Sequence, residues 1–197
     1  SYLTFTGIDT TMTKQLAGFF KTHYLKTIDN SDIYGVQYAS ILKNIYAVGS
    51  GIAHGLDYGD NFLSVLIANS ADEMASFLRK SGIKNIEVGH ADHWPLTKEH
   101  RPANYAASVY LGDLLVTCYS LHSRNRSFGN MIGKGYSVKA AQLEMSMVAE
   151  GYNASKSMYI INKTVKADMP IAETIYKILW ENLPAEKGFN EIETTLV

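Results

Sequence analysis

The chain has 197 residues, 46% of them hydrophobic and 19% charged, which suits one globular domain, or one domain with part of another, able to bury a sizeable core. Its 18 basic and 19 acidic residues leave a net charge of -1, without the basic excess of a nucleic-acid or anionic-membrane binder. A single cysteine, Cys118, excludes an internal disulfide framework and fits a reducing compartment. No apolar run reaches the length of a membrane span and no basic-then-apolar leader is visible, so the cytoplasm is the expected location.

In chain order, SYLTFTG reads as a strand ended by Gly7. It opens the chain where a methionine would stand, so a fragment or cleavage product is expected, its N-terminal portion lying elsewhere. Asp9 or Thr10 is placed to cap a helix over TTMTKQLAGFFKT, and HYLKTIDNSD follows as a short strand and turn. This β-α-β order suits the trailing edge of an α/β domain. IYGVQYASILKNIYAVGSGIAHGL is expected as one long helix. Its GSGIAHG run invites comparison with a dinucleotide-binding turn, yet Gly49, Gly51 and Gly55 miss the G-x-G-x-x-G spacing by one and follow a helical rather than a strand pattern. Small residues here are read as a place where another backbone approaches closely, a dimer surface included.

NFLSVLIANSADEMASFLRKSG is a second helix, with a break expected after Asn69. The polar stretch from about Gly82 to Tyr110 reads as a long loop or insertion. LGDLLVTCYS resumes an apolar run, SLHSRNR interrupts it, and a helix is expected from SFGNMIGKG. Ser137 is a candidate cap for a helical stretch with a break at Gly151. MPIAETIYKILWENL closes the chain, with Pro170 in the first turn, where a missing amide is harmless. The fold class expected is mainly α, a helical domain behind a small β-α-β piece.

Four clusters offer chemistry. Lys43 and Asn44 sit in an apolar helix, where a lysine either snorkels at the edge or serves as an acid or base. Asp113, with Thr117 four residues on and therefore on the same helical face, either caps a helix or holds a lysine in position. SRNR, residues 123 to 126, is either a solvated basic turn or a phosphate-recognising one backed by helix-end amides. Glu150 is a helix-end carboxylate or a ligand contact. His90, His93 and His100 have loop spacing and no cysteine partners, so no metal is expected. Cys118 reads as a small core residue rather than a nucleophile.

Taken in order, GVQYASILKNIYAVGSGIAHGL, LGDLLVTCYSLHSRNRSFG, GKGYSV, MVAEGY and MPIAETIYKIL resemble the C-terminal part of the bacterial-type NAD(P)-dependent glycerol-3-phosphate dehydrogenases. The resemblance implies a helical substrate-binding domain over 33–197, preceded over 1–32 by an incomplete remnant of a Rossmann-type nucleotide-binding domain. It implies reversible oxidation of sn-glycerol 3-phosphate to dihydroxyacetone phosphate, feeding phospholipid backbone synthesis. Lys43 would exchange the proton of the C2 oxygen, Asp113 would orient it and contact substrate, and Asn44 and Thr117 would support the same pocket. Ser123, Arg124 and Asn125 would hold the substrate, chiefly its phosphate. Arg124, Val148 and Glu150 would touch the cofactor, NAD or NADP, whose main site lies in the missing domain. A homodimer is the expected assembly. The family's second lysine comes from that missing domain, so the fragment alone is expected to be inactive. A rival reading stays open: a catalytically inactive helical ligand-binding or dimerisation module related to 2-hydroxy-acid dehydrogenases.

Overall fold

The computed structural model describes residues 1–82 and 109–197. The expected loop and its histidines, His90, His93 and His100, fall almost wholly outside these residues.

The chain opens with strand β1 (Tyr2–Thr6), helix α1 (Thr10–Phe20) and strand β2 (Lys26–Asn30). The strands pair in parallel, Tyr2 opposite Lys26 and Thr6 opposite Asn30, with α1 as the crossover. Asp9 caps α1 by accepting from the amides of Thr11 and Met12 at 2.9 and 3.0 Å.

Helix α2 (Ile33–Gly55) starts at Asp32, whose carboxylate accepts from the Gly35 amide at 2.8 Å. From Ile45 to Ala53 every residue is buried, whichever way it points. A helix apolar all round belongs at the centre of a bundle. Accordingly α2 packs against α3 (Asp60–Lys80), α4 (Leu111–Tyr119), α5 (Arg124–Gly133), α7 (Glu150–Val165) and α8 (Pro170–Trp180). The small helix α6 (Val138–Glu144) lies beside α5, and α9 (Ala185–Glu193) packs on α8. The described residues are thus mainly helical behind a two-stranded parallel sheet.

Several boundaries differ from expectation. Helix α3 runs unbroken past Asn69, whose side-chain amide donates to the Val65 carbonyl at 2.9 Å and to that of Val197 at 3.0 Å. A polar side chain that bonds back one turn leaves the ladder intact. LGDLLVTC is helix α4. Helix α5 begins at Arg124 rather than at Ser127, because Ser123 is its cap and accepts from the Arg126 amide. Ser137 caps α6 as expected, but the break falls over residues 145–149, ahead of Gly151. Pro170 occupies the first turn of α8, and α9 then closes the chain with Phe189 and Ile192 buried.

No side chain of its own element caps the start of α8. Glu73 of α3 does so from across the core, accepting from the amides of Ile171 and Ala172, the latter at 3.2 Å, and from the Tyr46 hydroxyl at 3.1 Å. Burial pushes its carboxyl up to about 7 despite these donors.

Candidate active site

The glycines of GSGIAHG set the geometry. A Cβ on Gly51 would fall 2.8 Å from the Asn130 amide nitrogen, and one on Gly129 would fall 2.9 Å from that of Ile52. Gly55 and Gly133 meet in the same way, so α2 and α5 run parallel in direct backbone contact. Gly51, Gly55 and Gly129 are buried inside one chain, and Gly133 is half-buried against Gly55. Neither a phosphate cradle nor a small-residue dimer surface is available there.

Following both helices back from this contact leads to Lys43 and Asn44 on α2 and to the first turn of α5. Helix α7 starts at the same place, because Gly151, which has no side chain, sits against the Asn44 carbonyl of α2. Close backbone approach thus draws two helix N-termini onto one turn of α2. Both present partly positive amide ends, a setting that favours anions.

Polar side chains stitch the junction. Asn125 is buried; its Nδ2 donates to Asn44 Oδ1 at 2.9 Å, and its Oδ1 accepts from the Gly151 amide at 2.9 Å. Asn44 Nδ2 in turn donates to Glu150 Oε2 at 3.1 Å. Glu150 Oε1 lies 3.7 Å from Arg124 Nη2, and Arg124 Nη1 lies 3.3 Å from the Met147 sulfur. On the other side of Asn44, the Lys43 ammonium is ion-paired with Asp113 of α4 and remains 21% exposed. One bonded chain therefore joins Arg124, Glu150 and Asn44, and Lys43 with Asp113 is its sequence neighbour.

The remaining candidates take more limited positions. Thr117 stands one turn from Asp113, and its hydroxyl donates to the Asp113 carbonyl at 2.6 Å. Ser123 is engaged as the α5 cap. Val148 is exposed on the approach to α7, where it lines a cavity of about 290 Å³ with Phe128, Met145, Met147 and Tyr152. Cys118 is fully buried, and burial pushes its thiol up to about 12, as befits a core residue. Among the described residues no group of three His, Cys, Asp or Glu could hold a metal ion.

Three residues take roles that differ from those their local sequence suggests. Gly151 was read as a helix break but is the contact that seats α7. Met147 lies beside the Arg124 guanidinium and carried no polar signal. Arg126 is buried although Arg124, two residues earlier, is exposed. The signal for that split is helical: residues two apart point to nearly opposite sides.

Residues 32–190 match the family described as NAD-dependent glycerol-3-phosphate dehydrogenase C-terminus. The chain belongs to this family. It is 35% identical over 173 residues to glycerol-3-phosphate dehydrogenase [NAD(P)+] of Staphylococcus saprophyticus, covering 88% of this chain and 47% of that protein. It is 35% identical over 179 residues to the Lactococcus lactis enzyme of the same name, covering 91% and 47%. The chain thus spans about half the length of these relatives. In fold it is similar to the crystal structure of glycerol-3-phosphate dehydrogenase from Coxiella burnetii, with a TM-score of 0.83 at 24% identity over 98% of this chain and 54% of that one.

Proposed function

We propose that this chain is the substrate-binding part of an NAD(P)-dependent glycerol-3-phosphate dehydrogenase, interconverting sn-glycerol 3-phosphate and dihydroxyacetone phosphate. The supporting observation is the junction where Lys43, paired with Asp113, neighbours an amide network that leads to Arg124 and two helix starts. In this reading residues 1–32 end a nucleotide-binding domain and residues 33–197 form the substrate domain. The intact protein works as a cytoplasmic homodimer and supplies the glycerol phosphate from which phospholipids are built.

The division of labour follows from charge. Arg124 and the first-turn amides of α5 bind the phosphate dianion, displacing the Glu150 carboxylate from the guanidinium. Lys43 faces the C2 oxygen, where negative charge develops during reduction, and donates its proton; in oxidation it takes that proton back. Asp113 holds the ammonium in place. Asn44 and Asn125 keep the two ends in register, with Thr117 and Ser123 bracing the adjoining turns. Fixing both ends of a three-carbon substrate converts orientation into rate.

The described residues fit an edge contact with a dinucleotide. Arg124, Val148 and Glu150 are exposed around one rim, whereas the glycine run that would have to cradle a pyrophosphate is buried in helix contact. Bound NAD or NADP would supply or accept the hydride. The test is to mix the full-length protein with dihydroxyacetone phosphate and NADH or NADPH. Loss of nicotinamide absorbance is expected with at least one cofactor, and an unchanged signal with both would refute the proposal.

A further inference from the structure

Arg126 is, among the described residues, a buried cation without a counter-charge. It is 8% exposed, and no carboxylate pairs with it among the described residues. A guanidinium taken from water without an acid is costly, so its remaining partner deserves the explanation. That partner is the main-chain carbonyl of Tyr119, the last residue of α4, to which Arg126 Nη1 donates. A helix C-terminus carries unsatisfied carbonyls and partial negative charge, which offset part of the burial cost.

The placement ties together the pieces that would grip substrate. Helix α4 carries Asp113, the partner of Lys43. Helix α5 starts with Arg124 and carries Arg126, whose own carbonyl packs against Gly51 of α2. The link between α4 and α5 is short and closed by a bond from the Ser123 amide to the Ser120 carbonyl at 3.1 Å. We propose that Arg126 is a positioning residue that clamps the end of α4 to the first turn of α5 and so sets the spacing between the Lys43–Asp113 pair and Arg124. The inference rests on the function proposed above. It adds that the second arginine of SRNR sets selectivity for a phosphorylated over an unphosphorylated triose without touching either.

The spacing matters only to a substrate that must reach both ends. Dihydroxyacetone lacks the phosphate, so its reduction would need only the Lys43 end. The experiment compares kcat/KM for dihydroxyacetone phosphate and for dihydroxyacetone in the full-length protein and in R126M and R126K. R126M is expected to lower the preference for the phosphorylated substrate roughly 10-fold or more, the scale on which small misplacements act. R126K keeps a donor for the Tyr119 carbonyl and is expected to restore most of that preference. The KM for the nicotinamide cofactor is expected to stay unchanged. A merely structural arginine would lower both substrates equally, leaving the ratio untouched; that result overturns the proposal. So does an R126K as impaired as R126M, which would indicate direct bidentate contact with phosphate. Should R126M not fold, R126Q is read in its place, and a wild-type ratio there overturns the proposal as well. Absence of turnover in the wild type would instead remove the functional reading beneath it.

Discussion

Phe128 and Phe189, in the helical region, are fully buried, whereas Phe19 of α1 is 83% exposed and Ile8 ahead of it 89%. Both regions are built from amphipathic or apolar elements, but they use them differently. The helices beyond residue 32 close a core around α2 and bring backbones into contact through glycine. The β1–α1–β2 unit leaves Tyr2, Met12, Phe19 and Tyr24 largely in solvent. A shared element type therefore says little about local stability. What counts is whether the apolar face has been covered, and the exposed unit fits the proposal that residues 1–32 close a larger domain.

The same kind of substitution should act in opposite directions in the two regions. Gly51→Val puts a branched side chain where the Arg126 carbonyl and Asn130 amide already stand, and backbone cannot swing aside. A loss above about 3 kcal/mol is expected, at or beyond the top of the usual overpacking range, with collapse of the thermal transition as the readout. A variant of wild-type stability would mean that α2 and α5 do not touch there.

The next largest effect is a pH dependence confined to the helical core. The Glu73 carboxyl is raised from an ordinary 4.5 to about 7, so the folded state holds its proton more tightly than the unfolded chain does. Stability should therefore fall as pH rises from about 4.5 to about 7, by as much as roughly 3 kcal/mol at 1.36 kcal/mol per pKa unit. Denaturant midpoints across this window should slope downward in the wild type and much less in Glu73→Gln. Equal slopes would contradict the assignment.

Smaller changes probe the N-terminal unit. Gly18→Ala on α1 meets nothing within 4 Å and should gain about 0.5–1 kcal/mol through helix propensity, visible as a higher melting temperature. Phe19→Ser, at a side chain already in solvent, should shift this chain's stability by less than about 0.5 kcal/mol. A larger loss would reveal that α1 is covered after all.

Local chemistry explains which parts were legible in sequence. Asp9, Ser137 and Pro170 announce helix starts because capping depends on neighbours within a turn. Apolar residues recurring near helical spacing from Val36 to Val48 announce a long helix, though not its place at the centre of the bundle. The pairing of Lys43 with Asp113 was one of two open readings of the aspartate, and proximity in space decided for it. Glu73 at the start of α8, the Asn44–Glu150 bond and the seating of Gly151 join residues far apart in the chain, so no local pattern betrays them. Helix α9 is not legible because its short AEKGFNEIE run is mostly polar, with Gly188, Phe189 and Ile192 alone buried. Ser123 rather than Ser127 starts α5 because its hydroxyl accepts from a first-turn amide, a choice that both serines offer on paper.

The central claim is that the ammonium at Lys43 and the guanidinium at Arg124 serve opposite ends of one phosphorylated three-carbon molecule. The most direct measurement follows reduction of dihydroxyacetone phosphate and dihydroxyacetone by full-length wild type, Lys43→Ala and Arg124→Ala, each checked for folding by circular dichroism. Lys43→Ala should slow both substrates by roughly 10²–10⁴-fold. Arg124→Ala should slow the phosphorylated substrate alone, by up to about 10²-fold. A folded Arg124→Ala that keeps its preference for the phosphorylated substrate, or a Lys43→Ala with wild-type turnover, would contradict the account.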